Sequence, residues 1–336
     1  MINYKSLVYL SILIGLFLAS CHNSQQQTID AAAYHNPLIQ PLTDELTKDP
    51  DNPQLLYQRS LALIQVEAPD LAKKDLIHAL KKDSNNLQYL YTLSQVDLQS
   101  GNNAQAIKNL EELVRLSHHA PAIRLALAKA YIKNNQAEPA TQNIRDLLKN
   151  DSAYPGALFT LAQIQLIKKD TNRAVNILHR SLWLRKDDYP ASLLLAECLA
   201  AQHNPKAIDI YRETFDMDTS DVTPLLHIGS FYEQQKQIEK AKSIYRECLL
   251  KDPDCTIALI NTGKILLDQD SVPKALRQFN IAIQTRPNSV EAYTQKGICF
   301  ERLHQKDSAK TAFAQALVFD PHSEAARKGW QRNRTK

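Results

Sequence analysis

The sequence predicts an all-α protein made by repeating one pair of helices, and three observations carry that expectation. Eight alanines, Ala72, Ala106, Ala140, Ala174, Ala207, Ala241, Ala275 and Ala309, recur at a constant interval, except that the step from Ala174 to Ala207 is one position shorter than the others. The period is about 34 residues, a length that marks a stacked unit and not a single globular core. A small residue stands twelve places before each alanine: Ser60, Ser94, Ala128, Ala162, Ala196, Gly229, Gly263 and Gly297, with a gap of eleven in the fifth unit. Glycine supplies only 7 of 336 residues and no stretch sustains a two-residue alternation, which leaves little material for strands or glycine-dependent turns.

Taken in chain order, the segment from Met1 to Ser20 reads as a secretory signal. Lys5 gives a positive start and Leu7 to Leu18 is an apolar run, too short for a free membrane-spanning helix but suited to a signal core. The run ends in Leu18-Ala19-Ser20-Cys21, which resembles a bacterial lipobox and implies cleavage before Cys21 and lipidation of its thiol. Two or three acyl chains hold a protein stably on a membrane. Residues 21–37 are polar, with Gln25-Gln26-Gln27 among them, and read as a flexible tether spanning on the order of 20 Å. The absence of aspartate at His22 resembles outer-membrane sorting in two-membrane bacteria. This implies a lipid-anchored envelope protein, at the outer membrane and facing the periplasm.

Residues 38–52 contain the expected N-terminal capping half-repeat, a helix over 38–48 before Pro50. Eight units then fill 53–323. Four residues after each alanine comes a large apolar side chain: Leu76, Leu110, Ile144, Leu178, Tyr211, Tyr245, Phe279 and Phe313. Offsets of four and seven share one helical face, so each alanine sits on a packed helix. The small residue belongs to the preceding helix, and small residues on both let two antiparallel helices approach closely. Residues 324–336 hold the expected C-terminal capping helix, with Trp330 against the last repeat. A polar cap keeps such an array soluble.

The sixth unit reads Leu225-x2-Ile228-Gly229-x2-Tyr232, then Ala241-x3-Tyr245, then Pro253; the eighth reads Tyr293-x2-Lys296-Gly297-x2-Phe300, then Ala309-x3-Phe313, then Pro321. These units resemble the tetratricopeptide repeat. The first five depart from its pattern, with Ser84, His118, Ser152, Lys186 and Thr219 in the closing proline's place and Arg124 and Ser192 in the opening aromatic's. The resemblance implies a right-handed superhelical solenoid of about eight helix-turn-helix units with a terminal capping helix.

Motifs for catalysis are not found. Gly263-Lys264 lacks the surroundings of a phosphate loop, and there is no G-x-S-x-G or H-E-x-x-H. His118-His119 falls in an expected inter-repeat turn without a cysteine or acid to complete a ligand set, so neither a metal nor another cofactor is expected. Cys198, Cys248, Cys255 and Cys299 read as small buried hydrophobes, with a Cys248–Cys255 bridge left open. The formal charge of +4 is spread along the chain, without the basic stripe that nucleic acid requires.

In the resembled family the first helix of each unit lines a concave groove. Carried over, the fifth positions are Tyr57, Tyr91, Leu125, Phe159, Leu193, Leu226, Ile260 and Thr294, and the ninth include Gln95, Lys129, Gln163, Glu197 and Lys264. An apolar ladder flanked by amides and isolated charges suits a peptide segment or amphipathic helix. The family's carboxylate clamp is not reproduced, since Asn261 is the single asparagine among the sixth positions. The leading expectation is a non-enzymatic scaffold or adaptor for envelope proteins. The alternatives are a solute- or glycan-binding lipoprotein of an uptake system, and an enzyme using the array as a platform. Units held to a near-constant length leave no room for the loops of a sugar site, and nothing outside 53–323 is large enough for a catalytic domain.

Overall fold

The computed structural model describes residues 33–154 and 156–334. The segment expected to be a signal, 1–20, the expected lipidation site Cys21 and most of the expected tether lie outside the described residues. Within the described residues the chain forms eighteen helices and no strand. Residue contacts divide it into two units, one ending at Lys169 and the other beginning at Asp170, inside the turn of the fourth repeat.

The first unit opens with α1 (Gln40–Lys48), the expected half-repeat. Three helix pairs follow: α2 (Pro53–Gln65) with α3 (Pro69–Lys82), α4 (Leu87–Gln99) with α5 (Asn103–Leu116), and α6 (Pro121–Lys133) with α7 (Ala137–Asn150). It closes on α8 (Ala157–Ile167). The second unit starts with α9 (Thr171–Leu184). Its pairs are α10 (Tyr189–Ala201) with α11 (Lys206–Met217), α12 (Thr223–Gln234) with α13 (Ile238–Lys251), α14 (Thr256–Asp268) with α15 (Val272–Thr285), and α16 (Val290–Arg302) with α17 (Lys306–Phe319). The terminal α18 (Glu324–Arg332) packs Trp330 against the cluster around Phe313, as its sequence predicts.

Local chemistry starts and stops these helices. The Asn52 and Asn86 side chains each accept two backbone N–H bonds at the heads of α2 and α4, and Asp188 and Ser289 cap α10 and α16, satisfying donors a helix start leaves free. Although Ser84 replaces the family's proline, Asn86 Nδ2 donates to Asp83 at 2.8 Å and closes that turn. After each first helix from α2 to α16 the chain passes through one left-handed residue: Glu67, Gly101, Asn135, Lys169, His203, Lys236, Asp270 and His304 all have φ between 54° and 77°. The next N–H reaches back five residues, as in Ala68 to Leu63 (2.9 Å) and Gln237 to Tyr232 (2.8 Å), a Schellman closure. Seven of the eight are not glycine, so these turns hide from a reading that looks for glycine.

The shortened step before Ala207 is absorbed at the head of α11. There the Ala207 N–H bonds to Asn204 O, three residues back, whereas Ala241 and Ala275 bond four back, to Gln237 and Ser271. One lost residue therefore tightens the first turn toward 3₁₀ geometry and leaves the rest of α11 in register.

All eight period-setting alanines are fully buried, as are Ser60, Ser94, Ala128, Ala162 and Ala196. The glycines show why this column must be small. A Cβ on Gly229 would stand 2.3 Å from the Tyr245 ring, one on Gly263 2.5 Å from Phe279, and one on Gly297 2.6 Å from Phe313. Where the facing position is Leu76, Leu110 or Ile144, the small residue keeps its Cβ as Ser60, Ser94 or Ala128. In the sixth, seventh and eighth units ring volume on one helix is thus matched by backbone bareness on the other.

Candidate partner-binding faces

In the first unit the first helices α2, α4, α6 and α8 carry the predicted ladder. Tyr57 does not face outward. It is 6% exposed, and its ring packs on Tyr89 at 4.8 Å. The Tyr57 hydroxyl lies 3.4 Å from Thr92 Oγ1, and the Tyr89 hydroxyl donates to Gln54 Oε1 at 3.1 Å. The two tyrosines tie α2 to α4, which corrects the expectation that Tyr57 contacts a partner. One repeat further on, Tyr91 is 40% exposed. Leu125 and Phe159, at the same position of α6 and α8, are half-buried. Gln95 and Gln163 are half-buried beside them, and Lys129 is exposed with no ion pair among the described residues. The first unit thus offers an aromatic–aliphatic–aromatic row from Tyr91 to Phe159, bordered by two amides and one ammonium.

In the second unit the ladder is interrupted. Leu193 and Leu226 are half-buried, but Ile260 is 4% exposed and belongs to the cluster around Phe279. Lys264 makes an ion pair with Glu291 on α16, so its charge is already answered within the array. Ile260 is therefore core, and Lys264 joins one repeat to the next. Between α10 and α12, Glu197 Oε1 lies 3.6 Å from His227 Nε2, and the imidazole stacks on Tyr211 at 5.3 Å. These three side chains, with Ser230 and Gln234, line a hollow of about 240 Å³. Burial, and secondarily the Glu197 charge, pushes the Tyr211 phenol well above its ordinary value. His227 was legible only as the sixth position of its helix facing the ninth position of the helix before.

His118 and His119 are exposed in their turn, with positive φ at both, and His119 Nδ1 lies 2.8 Å from an Arg124 amino group. The described cysteines Cys198, Cys248, Cys255 and Cys299 are all buried and free, so the open Cys248–Cys255 bridge is not formed. Burial raises each thiol, to about 11 for Cys198 and Cys299 and about 12 for Cys248.

Tetratricopeptide-repeat family models match residues 97–155 and 223–255. The chain carries tetratricopeptide repeats. The second matched stretch covers α12 and α13, whose residues follow the family pattern. The same architecture occurs in the C-terminal part of a tetratricopeptide-repeat protein from Cytophaga hutchinsonii, with a TM-score of 0.54 and 16% identity over 71% of this chain and 98% of that one. A human protein O-mannosyl-transferase is 23% identical over 82% of this chain and 27% of its own length. The β-barrel assembly-enhancing protease of Yersinia pestis is 30% identical over 37% of this chain and 25% of its own. The chain thus spans about a quarter of the length of these two relatives. Tetratricopeptide repeats are generally non-catalytic scaffolds that bind proteins or peptides.

Proposed function

We propose that the protein is a non-enzymatic, lipid-anchored adaptor of the bacterial envelope that holds a partner polypeptide on the first-helix face of α4, α6 and α8. The observation that carries the binding face is the row Tyr91, Leu125, Phe159. Large apolar side chains rarely stand in line at a surface unless something covers them, and this row lies in register on three successive first helices. Gln95, Lys129 and Gln163 beside it can fix the register of a bound segment while the rings supply contact area. The anchor rests on the sequence: the signal core and Leu18-Ala19-Ser20-Cys21. The envelope setting gains support from the Yersinia pestis relative, whose name ties it to β-barrel assembly.

The test is crosslinking capture from membranes with the Tyr91→Glu/Phe159→Glu double variant. Two carboxylates on the row should abolish the crosslinked partners while the helical circular-dichroism signal stays. Unchanged partners with the fold intact would overturn the binding face. Independently, Cys21→Ala should move the protein from the membrane fraction to the soluble one, and its retention on membranes would overturn the anchor.

A further inference from the structure

Tyr211 on α11 and Tyr245 on α13 occupy the same place in successive repeats, yet their hydroxyls meet different surroundings. The Tyr245 hydroxyl donates to Glu233 and accepts from Asn261 Nδ2 at 3.2 Å. One repeat earlier, Ala200 stands where Glu233 does, and His227 where Asn261 does. Tyr211 is 2% exposed and its ring stacks on the imidazole, but its hydroxyl has no hydrogen-bond partner among the described residues. That oxygen is not one of the polar atoms sealed off without a partner, so it keeps access to the hollow beside Ala200. An unpaired hydroxyl on so buried a side chain calls for a reason. The exchange of a glutamate for an alanine leaves the hollow of about 240 Å³ between α10, α11 and α12.

The polar lining of this hollow is rich in acceptors. Glu197 stands 3.6 Å from His227 Nε2, outside hydrogen-bond range, and no lysine or arginine pairs with it among the described residues. Its charge reaches the Tyr211 phenol. Ser230 and Gln234 on α12 line the same space and make no hydrogen bond among the described residues. Ala200 and the Phe231 ring, which is 5% exposed, supply apolar wall. A carboxylate, two hydroxyls and an amide oxygen beside an apolar wall match a cation that only donates, carried on an aliphatic stem. An ammonium is compact and offers three donors and no acceptor.

We propose that this hollow takes the ammonium group of a lysine side chain from a partner polypeptide. The ammonium donates to Glu197, to the Tyr211 hydroxyl oxygen and to Ser230 or Gln234, while the lysine methylenes lie against Ala200 and Phe231. An anion would meet the Glu197 charge, and an apolar side chain would leave the Tyr211 hydroxyl unanswered. One repeat later Glu233 and Asn261 answer the tyrosine from within the array, and no guest is needed. The site lies in the second unit and shares no residue with the row at Tyr91.

Fluorescence anisotropy of the full chain with a fluorescein-labelled Gly-Gly-Lys-Gly-Gly peptide tests this, beside the same peptide carrying norleucine or Nε-acetyl-lysine. The lysine peptide should saturate below about 1 mM protein, and the two uncharged peptides should bind at least about tenfold more weakly. Glu197→Gln should weaken lysine binding by at least about tenfold. Ala200→Gln fills the hollow and gives Tyr211 the acceptor that Glu233 gives Tyr245, so it should abolish binding without lowering the melting temperature. Tyr211→Phe should weaken binding several-fold at an unchanged melting temperature, because the hydroxyl it removes is unpaired. Tyr91→Glu/Phe159→Glu should leave binding unchanged, which separates this site from the first-helix face of the first unit. Absence of saturation up to about 1 mM protein, equal binding of lysine and acetyl-lysine peptides, or full binding by Glu197→Gln and Ala200→Gln would overturn the proposal. Saturation by n-butylamine without binding of the peptide would make the hollow a site for small amines and overturn the polypeptide assignment.

Discussion

Gly263 and Phe279 show how a single methyl group is accommodated. A Cβ at Gly263 falls 2.5 Å from the Phe279 ring, inside any van der Waals contact, and the ring is fully buried with nowhere to swing. Gly263→Ala gains about 1 kcal/mol of helix propensity but should still destabilise the protein by about 1–3 kcal/mol through overpacking. Phe279→Leu alone should destabilise by leaving a void. Together the two recreate the pairing of the first units, so the double variant should lose less than the sum of the singles, by at least about 0.5 kcal/mol. Urea denaturation of all four proteins measures this, and strict additivity would refute the interlock. The columns around the alanines were legible because a small residue and its large partner recur at fixed offsets. The left-handed turn residues were not: Glu67, Lys169, Lys236 and Asp270 carry ordinary helix-surface chemistry, and only their place in the period marks them.

Individual helices are joined by polar as well as apolar contacts, and one built on a fully buried carboxylate lies in the first unit. Asp97 on α4 is fully buried, bonded to Lys73 Nζ of α3 at 2.6 Å and to Asn109 Nδ2 of α5 at 3.2 Å. Three consecutive helices therefore meet at one carboxylate. Removing a partner from a buried ion pair strands the remaining charge, whereas removing both charges together can be nearly neutral. Lys73→Met should accordingly cost about 3 kcal/mol, and Lys73→Met/Asp97→Asn should recover much of that loss in the same denaturation assay. A single variant as stable as the parent would show that Asp97 does not depend on Lys73. At this scale the candidate face was half legible. Position five of the first helix identified Tyr91, Leu125 and Phe159, but the same rule named Tyr57 and Ile260, which neighbouring helices bury. Whether such a side chain emerges depends on the bulk of its neighbours one repeat away, as Tyr89 does for Tyr57, and a period alone does not encode that.

Across the whole molecule, the buried thiols and phenols make stability depend on alkaline pH. Burial, aided at Tyr131 by its bond to Glu111, raises that phenol to about 12, and burial raises Cys248 to about 12 and Cys198 and Cys299 to about 11. In the unfolded chain the thiols ionise near 9 and the phenol near 10. Below those values both states hold the proton and stability is complete. Between them and the folded values only the unfolded chain loses protons, so each group withdraws stability at up to about 1.4 kcal/mol per pH unit. The melting temperature should be flat up to about pH 9 and then fall, with a shallower fall in Cys248→Ala. A flat profile through about pH 11 would contradict the burial of these groups. In a chain of stacked repeats most interactions are between neighbours, so these losses add along the array without concentrating at one core.

The exchange of ring for methyl between paired helices also bears on how such a chain can be rearranged. Gly229 and Tyr245, Gly263 and Phe279, and Gly297 and Phe313 each belong to one repeat, on either side of the left-handed turn at Lys236, Asp270 or His304. Copying or deleting a whole repeat carries both halves of the fit and leaves it intact. A recombination crossover inside that turn separates them, setting Ser60 or Ser94 opposite Phe279, for example, and joining two sound halves into an overfilled whole. The heritable module of this protein is therefore the helix pair, and its weakest place for splicing is the bend that looks most dispensable.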